Sequence, residues 1–438
     1  MYDLIIVGAG PAGYTAALEA SYRNKSVLLI EKNELGGTCL NVGCIPTKSL
    51  LKKSEDYYNA RKSKDFNISI NDSFYKNLMD DKSSVVEKQK KGIEYLLKKA
   101  KVNYIKGMAT LVDEHCVSVD GVKYKGEFIL LATGSSPLIP KIDGIENAIF
   151  SDEILSMDYS KMDDIIIIGG GFIGVEIATI FTNLEKRVII VEAQDRLLTN
   201  MDQDVSSSVK RVLKKDGCTV LLNSKVTKIE KDGIYIDDKK IEGSTILCAI
   251  GRVSNTRDVD PLSLIEKDRG SIVVDSEFKT NIKNIYAIGD CINSYKLAHY
   301  ASSLAIYSVN NMFNTITNIQ IKNVPSCVYT NSEIATVGER ECDDDVCIKH
   351  SLISNARCII NDENRGFIKL IFRKDGYFKG ASINCSRASD MINIFVSALN
   401  NHYNIDDMLK DIYPHPSFIE GIKDSLVEVK HKFDSMYT

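Results

Sequence analysis

Leu4-Ile5-Ile6-Val7-Gly8-Ala9-Gly10-Pro11-Ala12-Gly13 is the stretch on which the reading of this chain turns. Four apolar residues in a row, with no polar alternate, predict a strand buried on both faces, as parallel sheets require. Glycines follow in the dinucleotide spacing, a helix pattern runs on through Ala20, and a second strand over residues 26–30 ends at Glu31. Each part has a physical task. The first glycine allows the tight turn, the second lets backbone approach a pyrophosphate, and the third lets helix and strand pack closely. The helix N-terminus offers partial positive charge to the phosphates, and the terminal acid accepts from ribose hydroxyls. A glycine triplet alone says little. Framed by strand, helix and acid, it says dinucleotide.

The pattern occurs twice. Gly169, Gly171, Gly174 and Glu192 each stand 161 positions after Gly8, Gly10, Gly13 and Glu31, and apolar runs at 165–168 and 188–191 frame them in the same way. Two dinucleotide sites are expected. A carboxylate at Glu192 accepts from a free ribose 2′-hydroxyl and repels a 2′-phosphate, which favours NAD over NADP at the second site. Arg196 is the one basic group close enough in sequence to weaken that inference, and it reads as an exposed loop residue.

Between the two patterns lies Gly36-Gly37-Thr38-Cys39-Leu40-Asn41-Val42-Gly43-Cys44-Ile45-Pro46-Thr47-Lys48. On a regular helix, residues five apart are separated by about 7.5 Å of rise, beyond comfortable disulfide reach. A Cys39–Cys44 bond therefore needs an irregular turn, which Asn41 and Gly43 are expected to supply. Pro46 suits the first turn of a helix, which places Cys44 at a helix N-terminus where the dipole favours a thiolate. Lys48 falls one turn later on the same face. Spacing alone supports a redox pair and two buried structural thiols equally. The surrounding chain decides.

A chain of 438 residues is expected to hold two to four domains. Its 44% apolar and 26% charged residues describe a globular protein, and a net charge of −4 gives a nucleic acid no foothold. No apolar run reaches membrane-spanning length, and Met1 leads straight into a strand pattern without a signal peptide. Eleven cysteines, an odd number without framework spacing, suit a reducing cytoplasm in which a true disulfide is catalytic. No metal site is expected.

The remaining chain supplies further punctuation. Residues 84–99 predict an amphipathic helix with a solvated basic face. Strands at 128–132, 245–250 and 285–288 run into Thr133-Gly134, Gly251-Arg252 and Gly289-Asp290, the last glycine letting a carboxylate reach a bound ligand. After a linker at 318–325, strands at 367–372 and 377–383 and a helix at 389–399 predict an α+β region. Near the end, Tyr413-Pro414-His415-Pro416-Ser417-Phe418-Ile419-Glu420 holds a histidine between prolines, with a glutamate placed to accept from one ring nitrogen. That leaves the other nitrogen as a general base, although most loop histidines merely face water.

Together, residues 36–48, both glycine fingerprints, Ala132-Thr133-Gly134, Ala287-Ile288-Gly289-Asp290 and His415-Pro416 resemble the pyridine nucleotide–disulfide oxidoreductases over essentially the whole chain. Within that family, the wording from Gly37 to Lys48 and the acidic Glu192 are similar to members that oxidise dihydrolipoamide in 2-oxo acid dehydrogenase and glycine cleavage complexes. The resemblance implies an α/β fold: two Rossmann-like domains, the second inserted in the first, and a C-terminal α+β dimerisation domain. The expected divisions are 1–141 (FAD), 142–265 (NAD), 266–320 (return to the FAD domain) and 321–438 (dimerisation). It implies FAD at Gly8, Gly10, Gly13, Glu31, Gly134, Asp290 and Ala298, and NAD at Gly169, Gly171, Gly174, Glu192 and Gly251. Lys48 should lie by the flavin and pair with Glu176; Cys44 should touch the flavin and Cys39 exchange with substrate. His415, oriented by Glu420, would act from the other subunit of a homodimer on dihydrolipoamide or a lipoyl-bearing protein.

Some positions depart from the family pattern. Tyr413 stands where a second histidine is usual, residues 338–351 look short enough to have lost a helix, and Ser302-Ser303-Leu304-Ala305 and Cys385-Ser386 differ from the usual residues. Cys342 and Cys347 repeat the five-residue separation around three aspartates and read as an acidic surface loop. Three other activities and one inert role compete. Glutathione-type reductases would carry basic residues instead of Glu192. Mercuric and large thioredoxin reductases need C-terminal cysteines, and none follows Cys385. A non-catalytic flavoprotein subunit should have lost one of Cys39, Cys44, Lys48, His415 or Glu420.

Overall fold

The computed structural model describes residues 1–63, 68–313, 321–363 and 366–436. The chain divides into two compact units, residues 1–169 with 226–321, and residues 170–225 with 322–438.

In the first unit the opening apolar run becomes the strand Tyr2–Val7, and Leu4, Ile5 and Ile6 are fully buried. It pairs in parallel with Val27–Glu31 on one side and Val122–Leu131 on the other. Asn103–Lys106 and Ile285–Ala287 extend the parallel sheet at its two ends, and the antiparallel strands Cys116–Val119 and Ala109–Asp113 continue from the start of Val122–Leu131. The turn after the first strand is possible only for glycine: Gly8 has φ 104°, and a β-carbon there would fall 2.2 Å from the Ala132 carbonyl oxygen. The helix Pro11–Tyr22 then starts on proline, whose missing N–H costs nothing in a first turn. Its buried face is small (Ala12, Gly13, Ala16, Ala17, Ala20), so it lies close to the sheet and packs against the helix Ala298–Met312. The same unit holds the strand Asp164–Ile168, paired in parallel with Ile246–Cys248, which in turn pairs with Ile149–Phe150.

The second unit begins with the helix Phe172–Asn183, followed by the parallel pair Arg187–Val191 and Thr219–Leu221 with the helix Gln203–Lys215 between them. Its C-terminal part is an antiparallel sheet in the order Ser326–Val328, Ile334–Gly338, Phe378–Asn384, Phe367–Phe372, Val346–Ser351. The helices Ala388–Asn400 and Glu420–Met436 contribute Met391, Ile392, Phe395, Ile422, Leu426 and Val429 to the core of this sheet.

The α/β class and the C-terminal α+β region are as the pattern predicted, and the internal repeat is followed closely. The two fingerprint helices, Pro11–Tyr22 and Phe172–Asn183, are offset by 161 residues at both ends. Several finer expectations need correction. The helix read over 84–99 is the latter half of Asp72–Lys99, a 28-residue helix whose start is capped by Asn71 accepting from the Phe74 N–H. Residues 338–351 contain no helix, in keeping with their shortness; what changes there is Cys347, which sits within the strand Val346–Ser351 rather than in the loop. Cross-strand pairing to Phe367–Phe372 decided that segment, and such a signal is invisible locally. Of the linker read over 318–325, positions 318–320 lie outside the described residues.

Candidate active site

The thiol pair is built by two helices meeting at a glycine. Cys39 lies in Gly37–Val42, Gly43 breaks that helix, and Cys44 is the first residue of Cys44–Lys62. Asn41 does not supply the irregular turn; it is helical, and its side-chain amide donates to the Leu35 and Gly37 carbonyls. Gly43 supplies it alone. Its backbone (φ −144°, ψ −116°) brings the chain so close that a β-carbon would lie 2.8 Å from the Thr38 oxygen and 3.2 Å from the Cys39 α-carbon. The new helix is started by the Thr47 N–H and hydroxyl, both donating to the Gly43 carbonyl. Lys48 follows Cys44 by one turn, half-buried.

Cys39 and Cys44 are both half-buried, and the hydrogen bond between the two thiols, followed by burial, holds the Cys39 thiol well above the usual range. Cys44 opens the helix Cys44–Lys62, whose N-terminus favours a thiolate there. Tyr14, one residue past the first fingerprint, faces the pair. Burial above all pushes its phenol up, and the neighbouring Cys39 and Cys44 add to it. Nothing in the residue pattern singled Tyr14 out, because it looks like any other position on the helix.

The two fingerprints match down to single hydrogen bonds. Glu31 accepts from the Ala9 N–H at 2.7 Å and the Asn33 N–H at 2.8 Å. Glu192 accepts from the Gly170 N–H at 2.7 Å and the Gln194 N–H at 2.8 Å, again with an offset of 161. A carboxylate has about four lone-pair sites, so each keeps capacity for ribose hydroxyls. Gly10 and Gly171 adopt ordinary backbone (φ −71° and −77°) at the helix starts. Among the described residues, a β-carbon at Gly10 would meet only the Gly37 α-carbon at 3.9 Å, and one at Gly171 would meet nothing within 4 Å. Protein packing does not demand these glycines. A ligand against the backbone does, so the residues fit dinucleotides.

Around the first fingerprint, Gly134 has φ 71° and Ala298 opens the helix Ala298–Met312. Asp290, in the short 3-10 turn Gly289–Cys291, accepts the Ser135 hydroxyl at 2.7 Å. Ser135 in turn accepts from Arg252 Nε at 3.0 Å, next to Gly251 (φ 139°). The residue pattern pointed to Asp290 and Gly251 but missed this serine–arginine link, which needs three separate segments. In the second unit Glu176 is buried on the helix Phe172–Asn183 and accepts from the Tyr329 N–H at 3.2 Å. Gly174 lies on that helix, buried. Arg196 is not an exposed loop residue: it is half-buried and donates to the Thr199 carbonyl at 3.1 Å.

His415 stands exposed in the C-terminal loop with its Nδ1 2.9 Å from Glu420 Oε1, and the His415–Pro416 peptide is cis. Glu420 also accepts from the Ser417 N–H at 2.8 Å. Partial burial works against it, but the Ser417 N–H and His415 hold the Glu420 carboxyl below its usual range. An acceptor fixed on Nδ1 leaves Nε2 as the ring's proton-accepting atom. Tyr413 packs its ring against the C-terminal core, and burial pushes its phenol up to about 12.

Two dinucleotide fingerprints, a dithiol at a helix start and a carboxylate-oriented histidine define a pyridine-nucleotide redox protein that acts on disulfides. The sequence matches the pyridine nucleotide-disulphide oxidoreductases over residues 2–305 and the dimerisation domain of that family over 324–426, and the chain belongs to this family. Among curated relatives it is 36% identical to the dihydrolipoyl dehydrogenase of Mycoplasma genitalium, covering 97% of both chains. It is 33% identical to the dihydrolipoyl dehydrogenase of Bacillus subtilis, covering 95% of this chain and 94% of that one. Among solved structures, the HOCl-induced flavoprotein disulfide reductase RclA from Escherichia coli is similar, with TM-score 0.87 and 27% identity over 97% of this chain and 99% of that one. Among the described residues no helix is long and apolar enough to cross a membrane.

Proposed function

We propose that this protein oxidises dihydrolipoamide, free or carried on a lipoyl-bearing protein, to lipoamide while reducing NAD⁺ to NADH. The observation that carries the reading is the pair Cys39 and Cys44 on either side of Gly43, hydrogen-bonded thiol to thiol at the start of a 19-residue helix. Full-length similarity to proteins named dihydrolipoyl dehydrogenase supports the substrate, and Glu192 supports NAD over NADP. FAD, when bound, relays two electrons between the dithiol and the nicotinamide. Gly8, Gly10, Gly13, Glu31, Gly134, Asp290 and Ala298 would hold it. Gly169, Gly171, Gly174, Glu192 and Gly251 would hold NAD, and Lys48 with Glu176 would support the flavin site.

The chemistry of the protein's own groups follows. His415, aligned by Glu420, takes a proton from one substrate thiol. The resulting thiolate attacks Cys39 Sγ of the oxidised pair, the Cys39–Cys44 bond breaks, and Cys44 leaves as a thiolate. The second substrate thiol attacks the substrate sulfur of that mixed disulfide, closing cyclic lipoamide, and Cys39 leaves and takes up the proton that this thiol gives up. The substrate has lost two protons and two electrons, and the cysteine pair has gained the electrons.

The dimerisation-domain match supports a homodimer, in which His415 would serve the thiol pair of the partner subunit. Domain boundaries at 1–141, 142–265, 266–320 and 321–438 accompany this reading, as do a cytoplasmic location and membership of a 2-oxo acid dehydrogenase or glycine cleavage complex. Steady-state turnover of dihydrolipoamide with NAD⁺, beside NADP⁺ and beside NADH- and NADPH-driven glutathione disulfide reduction, tests the proposal. Fast turnover of dihydrolipoamide with NAD⁺ only is expected. A normal flavin spectrum without that turnover would assign the redox centre to another disulfide.

A further inference from the structure

The loop that follows Glu192 is pinned along its length, and its last pin comes from the C-terminal sheet. At its start Glu192 takes the Gly170 and Gln194 N–H groups. Midway, the Leu198 N–H donates to the Gly170 carbonyl at 2.9 Å, with Leu198 in the left-handed region (φ 50°) that a leucine adopts only when its surroundings dictate it. Leu197 is buried against Gly170. The Thr199 carbonyl accepts from Arg196 and from Arg340, each at 3.1 Å. The loop ends at Asp202, whose side chain caps the helix Gln203–Lys215 by accepting from the Asp204 N–H at 2.8 Å.

Asp202 and Asp204 converge on the ammonium of Lys369, at 3.0 and 2.9 Å, and Glu341 completes the set at 2.8 Å. Lys369 is 5% exposed and belongs to the strand Phe367–Phe372, an interior strand of the antiparallel sheet. Three carboxylates gathered on one buried cation cannot keep this geometry without it, because their like charges repel one another. We infer that Lys369 is a positioning residue for the pyridine nucleotide: it fixes the far end of the loop whose near end carries Glu192. Arg340, from the same part of the chain, supports it at Thr199. The inference rests on reading the second fingerprint as the NAD site.

The test uses the FAD-loaded dimer and NADH-driven reduction of ferricyanide, a readout independent of the thiol substrate. Lys369→Met should raise KM for NADH about tenfold with kcat held within about twofold. Anaerobic flavin bleaching by dihydrolipoamide, without nucleotide, should keep its wild-type rate, whereas a merely structural role would lower both reactions together. Lys369→Arg should return KM to within about twofold of wild type. Should Lys369→Met fail to assemble, Arg340→Ala removes one hydrogen bond to the loop and should raise KM for NADH about threefold. An unchanged KM in the assembled variant, or an equal loss of both half-reactions, overturns the inference. A wild type inert to dihydrolipoamide but normal with NADH refutes the substrate instead and leaves this test intact.

Discussion

Gly10→Ala and Gly13→Ala, three residues apart in one fingerprint, should fail for opposite reasons. At Gly13 a β-carbon would stand 1.7 Å from the Gly8 carbonyl oxygen, within the strand-to-helix turn itself. Neither partner can move without tearing Pro11–Tyr22 from the sheet, so this overpacking should cost about 3 kcal/mol or more whether or not flavin is present. At Gly10 the same methyl meets, among the described residues, only the Gly37 α-carbon at 3.9 Å, and φ is −71°. Alanine there narrows the unfolded chain, worth roughly 0.4–1 kcal/mol. It also gives up glycine's preference at a helix start, a cost of similar size. The flavin-free protein should therefore melt within a few degrees of wild type. A pyrophosphate at the helix N-terminus would meet the methyl and lose one charge-assisted hydrogen bond, about 1.5–3 kcal/mol, or roughly 10- to 100-fold in FAD affinity. Thermal melting of the flavin-stripped protein and fluorescence titration with FAD read the two quantities separately. Gly171→Ala completes the design: it meets nothing within 4 Å among the described residues and should weaken NADH while sparing FAD. An unchanged FAD affinity in Gly10→Ala, or a loss of apoprotein stability equal to that of Gly13→Ala, would refute the reasoning. So would a swap of the two cofactor effects.

Cys44→Ser should keep its yellow flavin and lose dihydrolipoamide turnover; undiminished turnover would end the assignment of the pair. Glu420→Ala removes the acceptor 2.9 Å from His415 Nδ1 and should lower dihydrolipoamide turnover about 10²-fold, with NADH–ferricyanide activity intact. Loss of both activities would instead mark Glu420 as structural. Stability should also depend on pH at both extremes. Burial pushes the Asp204 carboxyl up, but Lys349 and Lys369 together hold it below the usual range. Its contribution is therefore complete above the unfolded value of about 3.9 and is lost as pH falls through the lower folded value. Lys369 is shifted the other way: despite burial, Glu341, Asp204 and Asp202 hold its ammonium above its usual range, so its contribution is lost as pH rises through that value. Urea midpoints should fall on both sides of a plateau, and Asp204→Asn should flatten the acid side. An acid limb unchanged by that substitution would contradict the linkage.

What could be read in the sequence was what local rules encode. The strand over residues 4–7, the turn at Gly8 and the acid at Glu31 each announce themselves through the residue types that their geometry requires. The repeat at an offset of 161 then multiplied the evidence. Gly43 was legible for the same reason, since no other residue fits 2.8 Å from the Thr38 oxygen. Asn41 was misread because its tolerance for a left-handed backbone is only a permission; here it spends its amide on the Gly37 carbonyl of its own helix and the Leu35 carbonyl just before it. The His415–Glu420 contact could be foreseen because five residues of chain and two prolines leave few alternatives.

The parts that escaped are those whose partners lie far apart in sequence. Lys369 lies 167 residues from Asp202, and in the strand Phe367–Phe372 it sits among apolar neighbours with no sign of why a charge should be buried there. Only the fold supplies the reason, three carboxylates within 3.0 Å. The same holds for the Asp290–Ser135–Arg252 link, whose members come from three segments. A buried ion pair such as Lys369–Asp202 contributes little net stability when complete but costs several kcal/mol when one member is removed. Its presence beside the loop that carries Glu192 is therefore better explained by precision than by stability. The glycine fingerprints place a nucleotide, and groups distant in sequence hold that place still.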